Sequence, residues 1–332
     1  VGAEYRVGAE SREETGEPDA PEVARPDWVQ PVTFPFALEL CPRGEDHTIA
    51  KPPNYEEHRV RQHYHILDGA MRGMFGELGW WTYRRVVAAE MFDDPAFPHD
   101  VAMINTCSND YCSDNSCLNN DSPRSREEWL EQARQASLGY VYWLQTECQR
   151  EDEPGQFGYP EFKLRGDWFG TEDGLSPEPY VRESRRIVAR KTIVEQEIVQ
   201  KDASGWEWQV GPRAELFPDS VGIGHYWLDI HANGAGEEHL FLETRPFQIP
   251  LGALIPVRLR NLLPACKNLG VTHLTNGAYR LHPIEWAIGE AAGALAAFCI
   301  NEQTEPSEVL DSPAMLSQFQ NVLLESGVPL EW

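Results

Sequence analysis

The stretch from Phe247 to Phe298 constrains the fold of this chain more than any other. It predicts an apolar strand, a polar loop and a helix, in that order. Leu262-Leu263-Pro264-Ala265-Cys266 is a short apolar run of the kind a buried strand uses, with Cys266 as a small core residue rather than a redox thiol. The loop carries Thr272, His273, Thr275, Asn276 and Gly277, and Arg280 and His282 lead out of it. A helix opens with Pro283 at its first position, where the missing N–H would be unpaired in any case. Gly289 and Gly293, with Ala287, Ala291, Ala292 and Ala294, leave one helix face almost bare. Such a face either packs tightly on a sheet or admits a flat ligand, and spacing leaves both open. The free N–H groups at the helix start favour a negative charge in front of Pro283.

Two other places concentrate polar chemistry. Arg182, Glu183, Arg185 and Arg186 form the densest charged knot beside apolar residues. As a strand, the knot would send Arg182 and Ser184 to one face, and Glu183 and Arg185 to the other. A bidentate arginine there would clamp a carboxylate, or the knot would be a structural Arg–Glu network. Asp229 and His231 share a strand face by the same alternation, a spacing that lets a carboxylate orient an imidazole as a base and that is also common by chance. His225 is expected at the surface or in packing. No Gly-x-Ser-x-Gly elbow, phosphate-binding Gly-x-x-x-x-Gly-Lys loop or His-Glu-x-x-His pair occurs, and no metal ligand set is assigned. Cys107, Cys112 and Cys117 lie five apart in a polar loop, a spacing that leaves ordinary thiols, a disulfide or a metal ligand set open.

Asn261, Thr272-His273, Arg280 and Gly289-Glu290-Ala291-Ala292-Gly293 together resemble the C-terminal cofactor segment of the FAD-dependent oxidoreductase family, flavoproteins of the glutathione-reductase-like superfamily. Tyr180 to Ile187, Phe217 to Gly224, Asp229-Ile230-His231 and Asn109-Asp110-Tyr111 add to the resemblance, which covers nearly the whole chain. Thr106-Cys107 departs from the aromatic-proline pair of such proteins. The resemblance implies FAD as cofactor, with the loop against the flavin's pyrimidine edge. Asn276, Gly277, Arg280, His282, Pro283, Gly289 and Gly293 are then expected to border the cofactor. His273, His231, Arg182 and Arg185 are expected to carry catalysis, the arginines holding an anionic or hydroxylated metabolite and a histidine taking its proton. The helix start would face the N1–C2=O edge, which turns anionic on reduction. The family's opening Gly-x-Gly-x-x-Gly turn, which holds the FAD pyrophosphate, does not occur in this sequence. By the resemblance, the chain corresponds to the C-terminal two-thirds of such an enzyme. A segment or second chain is expected to supply the dinucleotide-binding fold.

The implied fold class is α/β, with an α+β substrate or cap domain over 1–245, a C-terminal strand-loop-helix of the FAD-binding domain over 246–310 and a tail helix over 311–332. Among individual elements, Gln30 to Leu40 reads as a strand with an edge or bulge at Pro35, and by the resemblance Trp80 to Val87 and Asp100 to Asn105 correspond to strands of the substrate domain. Arg126 to Cys148 is the clearest helix, with Ser125 and Glu128 as a capping box and Trp129, Ala133, Ala136, Tyr140 and Leu144 as its buried face. Pro179 to Val199 suggests one long or two paired strands, and Trp206 to Val210 a hairpin arm.

The formal net charge of −25 argues against nucleic acid and anionic membrane as partners, and no apolar stretch approaches a bilayer span of about 18 residues. Acidity of this size repels anionic substrates over the surface, so any anion handled here requires a local basic pocket. Two functions remain in view. One is an enzyme that passes a hydride from a small polar metabolite to flavin; the other is a cofactor-free binding module or subunit.

Overall fold

The computed structural model describes residues 2–66, 73–113, 125–199 and 214–332. They form two compact units, one built from 1–30 and 182–332, the other from the described residues of 31–181. This partition differs from 1–245, 246–310 and 311–332: the first thirty residues pack with the C-terminal half. Helices alternate with small antiparallel sheets, an α/β architecture. The Trp206–Val210 arm lies outside the described residues.

The unit of residues 31–181 holds a four-stranded antiparallel sheet. Its strands are β1 (Phe36–Leu40), β2 (Arg85–Val87), β3 (Val101–Ile104) and β4 (Phe162–Leu164), in the order β2-β3-β1-β4. Pro35 does not make β1 an edge. It separates β1, which is paired on both sides, from Val32–Thr33, which pairs with Tyr180–Val181. Trp80–Arg84 is helical rather than extended, and only Arg85–Val87 joins the sheet, because Trp80 and Trp81 turn inward as core residues. Helix α1 (Arg126–Thr146) has the expected Ser125–Glu128 capping box and buries Trp129, Ala133, Ala136, Tyr140 and Leu144. Its Tyr140 meets Trp80 edge-on at 6.2 Å and Trp143 face-on at 5.8 Å, so aromatic packing dominates this core. Cys107 and Cys112 are half-buried, and Cys117 lies outside the described residues.

The other unit is built on two antiparallel pairs, β5 (Ser220–Gly224) with β8 (Phe247–Pro250), and β6 (Leu228–Ile230) with β7 (Leu240–Leu242). Helices α2 (His273–Tyr279), α3 (His282–Glu302) and α4 (Pro313–Glu325) complete it. Ile284, Ile288, Leu295 and Phe298 of α3 share one core with Phe247, Ile249, Phe319 and Leu323. Each such side chain contributes about 1.5–3 kcal/mol by leaving water. Gly224 permits this closeness, because a Cβ there would lie 2.9 Å from Ile284 Cγ1.

Three further expectations are corrected. Residues 262–266 form no strand: Ala265 and Cys266 are exposed, Leu262 and Leu263 are half-buried, and the chain passes them as a loop. The polar segment from His273 is helical, because Thr272 caps it and every residue from His273 to Tyr279 is buried. Pro179 to Val199 yields only the two-residue strands Tyr180–Val181 and Arg186–Ile187 and a short helix, Glu195–Ile198, because Arg182, Glu183 and Arg186 turn their charges inward.

Among the described residues, α3 is one helix long and apolar enough by composition to cross a bilayer, with a mean hydropathy of 1.3 over its best window. The expectation that no stretch approaches that length is therefore corrected. Alanine raises the average without forming an unbroken run, and 39% of that window is buried in the protein.

Candidate functional site

His273 is the first residue of α2, and its side chain is 1% exposed. Its backbone N–H donates to Glu10 Oε2 at 2.9 Å, so a carboxylate sits at the electropositive start of the helix. Nε2 lies 2.6 Å from Glu237 Oε1, and Nδ1 lies 2.8 Å from Glu183 Oε2. The Nδ1 contact is off the N–H direction and acts as an ion pair rather than an aligned hydrogen bond. Glu183 also holds Arg186, whose guanidinium donates to Glu10 Oε1 at 2.9 Å, to Gly8 O at 2.6 Å and to Val271 O at 3.2 Å. Burial pushes the imidazole toward neutrality, but Glu183 and Glu237 outweigh it and raise its pKa to about 10. Burial likewise raises Glu183, while His273 and Arg186 hold it below the ordinary carboxylate range. With both nitrogens occupied and the ring charged, His273 has no lone pair with which to accept a proton.

The second histidine cluster is built on the β6–β7 ribbon. Its register sets Asp229 opposite Phe241 and Ile230 opposite Leu240, so His231 and His239 follow as neighbours across the ribbon. His231 Nε2 is 3.2 Å from Asp229 Oδ2, and His239 Nε2 is 3.3 Å from Asp229 Oδ1. Arg280 donates to the same carboxylate at 3.1 Å and to the Asp229 carbonyl at 3.0 Å. Burial would raise Asp229, but hydrogen bonds from the two histidines and the charge of Arg280 hold it well below the ordinary range. The ring of His239 is 46% exposed and that of His231 13%, so this cluster reaches solvent. Trp227 and Phe241 stack at 4.8 Å on the same ribbon, and both are exposed.

Arg280 closes α2, and Leu281 opens α3 without a side-chain cap. One residue thus links the Asp229 cluster to the start of a 21-residue helix, where His282 and Pro283 are exposed.

The other predicted residues fall in several places. Arg182 is buried, and Arg185 lies over the Tyr5 ring at 5.2 Å. Asn276 is buried and donates to Lys267 O at 3.0 Å. Gly277 packs on β6, where a Cβ would lie 2.9 Å from the backbone N and O of Asp229. Of the small residues on α3, Ala287 faces Gly222 of β5 and serves packing, whereas a Cβ on Gly293 would meet nothing within 4 Å. A Cβ on Gly289 would lie 3.1 Å from Ala265 O. Packing on the sheet thus accounts for the Ala287 side of the helix, while Gly293 is open. His225 is exposed, edge-on to Trp332 at 6.3 Å.

His239, Glu237 and Glu10 escaped sequence reasoning. The hairpin register would have revealed His239; nothing local connects Glu10 to a histidine 263 positions away.

These features bear on flavin binding. The uncapped start of α3, exposed His282 and Pro283 and open Gly293 fit the isoalloxazine end of FAD. No residues of the sequence supply the glycine turn for its pyrophosphate. Neither curated proteins nor solved structures give a match. A family model described as FAD dependent oxidoreductase matches residues 1–323, nearly the whole chain, and the chain therefore belongs to that family, whose cofactor is FAD.

Proposed function

We propose that the chain is the catalytic portion of an FAD-dependent oxidoreductase that removes a proton and a hydride from a small polar, hydroxylated or anionic metabolite. The arrangement of one carboxylate, Asp229, under two imidazoles and an arginine, one residue from an uncapped helix, carries this reading. Flavin, when bound, supplies the hydride acceptor. Asp229 orients the imidazoles, and His231 takes the substrate proton; Arg280 keeps Asp229 ionised. His282, Pro283, Gly289 and Gly293 border the ring, and the first N–H groups of α3 favour negative charge on it. Arg185 is retained as a candidate to hold an anionic substrate, since it is half-buried and lies over an aromatic ring rather than in the Glu183 network.

Residues 1–332 contain no Gly-x-Gly-x-x-Gly turn, and a further segment or chain supplies the pyrophosphate site in this proposal. The 332 residues alone are then expected to bind FAD weakly, and neither nucleic acid nor membrane is a partner. Reading the coding DNA on the 5′ side of Val1 for a glycine-rich turn tests the arrangement. Protein that includes such a turn should purify yellow, absorbing near about 450 nm. In that protein His231→Gln should slow substrate-dependent flavin reduction by about 10²–10⁴-fold with the flavin still bound. A protein that takes up no FAD, or a variant that reduces flavin at the unaltered rate, contradicts the proposal.

A further inference from the structure

In the unit of residues 31–181, a buried thiol lies at the end of the sheet among imidazoles and carboxylates. Cys41 follows β1 directly and is 5% exposed. Its sulfur belongs to two sets of metal-type ligand atoms, Cys41 with Glu45 and His47, and Cys41 with Glu39 and His99; within each set all atoms lie within 4.8 Å of one another.

The two sets are not equivalent. Glu39 already meets Arg165 at 3.1 Å, Lys163 at 3.7 Å and His99 Nδ1 at 2.8 Å, so its charge is committed. Its contact with His99 has the form of a carboxylate that orients a metal-binding imidazole. Glu45 is 48% exposed and its ion-pair partner is His47, at 2.8 Å. The backbone fixes these residues. Cys41 N–H donates to Glu161 O at 3.1 Å, His47 N–H to Pro160 O at 2.8 Å and Leu40 N–H to Asp100 O at 2.9 Å. Between them Gly44 takes a φ of +96°, which closes the turn from Cys41 to Glu45.

We propose that Cys41, Glu45 and His47 bind a zinc ion, with His99 as the fourth ligand, oriented by Glu39. One thiolate, one carboxylate and two imidazoles suit zinc in type and number, and the two anionic ligands balance its charge. Cys41, Glu45 and His47 are already gathered within 4.8 Å of one another, and His99 lies within the same distance of Cys41; side-chain rotations, chiefly of the exposed Glu45 and half-buried His47 and His99, would bring the four to zinc distances of about 2.0–2.3 Å. Binding releases the thiol proton to solvent. The site is independent of the Asp229 cluster and of flavin.

The test is a titration of the chelator-treated chain with Co²⁺, followed by displacement with Zn²⁺. The expected result is saturation at about one ion per chain, with thiolate-to-cobalt charge-transfer absorption that zinc abolishes. Cys41→Ser should remove that absorption, and His47→Gln or Glu45→Gln should weaken zinc binding by about tenfold or more. The last two side chains are partly exposed, so circular dichroism should show them folded and able to decide the matter even if Cys41→Ser is not. Absence of charge-transfer absorption overturns the proposal. Absorption that survives Cys41→Ser also overturns it and assigns the metal to other thiols, and affinity indifferent to both His47 and Glu45 overturns the ligand set.

Discussion

At His273 two carboxylates close on one imidazole; at Asp229 two imidazoles and an arginine close on one carboxylate. Both clusters belong to the unit of residues 1–30 and 182–332, and both use the same functional groups. They differ in stoichiometry and in access to water. The first is sealed, its ring charged and both nitrogens committed, so its free energy goes into holding residues 8–10, 183–186, 237 and 271–273 together. The second keeps one ring half in solvent and is joined through Arg280 to the residue before α3. Histidine beside a carboxylate is therefore no sign of catalysis by itself; the number of carboxylates per ring sets how firmly its proton is held.

The largest effect is expected at the sealed cluster. Glu183→Gln leaves Arg186 and His273 buried with one fewer anion and should cost about 3–5 kcal/mol in urea unfolding. Asp229→Asn should cost less, about 1–3 kcal/mol, because Arg280 keeps the Asp229 carbonyl as an acceptor and His239 can turn to water. Equal losses would erase the distinction between the clusters.

The clusters also differ in their response to pH. His273 has a folded-state pKa of about 10, above its ordinary 6.5, so its stabilisation is complete below about 6.5 and is lost as pH rises toward 10. Unfolding free energy should fall across that window, and Glu183→Gln should flatten the slope. Asp229 and Glu183 are held below the ordinary carboxylate range, so their contribution is present above that range and disappears as pH falls through their depressed values. The smallest effect belongs to His239→Gln, an exposed partner whose loss should change stability by less than about 1 kcal/mol.

Local rules made parts of this legible. The Ser125–Glu128 box and the buried face of α1 follow from capping and helical spacing, and Asp229–His231 from strand alternation. Alternation failed at Arg182–Arg186, where buried charge seeking partners overrode the strand pattern. It failed again at 262–266, where an apolar run with Pro264 and neighbouring polar residues remained a loop. His273 was legible as an important residue but not as a sealed one, since Glu10 and Glu237 reach it only through the tertiary fold. The small-residue helix α3 was legible as a close-approach element, and the approach occurs where its Ile284 and Ala287 meet Gly224 and Gly222 of β5, whereas a Cβ on Gly293 would meet nothing within 4 Å.

Carbethoxylation of the folded chain by diethylpyrocarbonate, mapped by mass spectrometry at neutral pH, tests the contrast most directly. The account predicts that His239, and more slowly His231, are modified while His273 is protected until the chain unfolds. Modification of His273 at the rate of His239 in folded protein would contradict it.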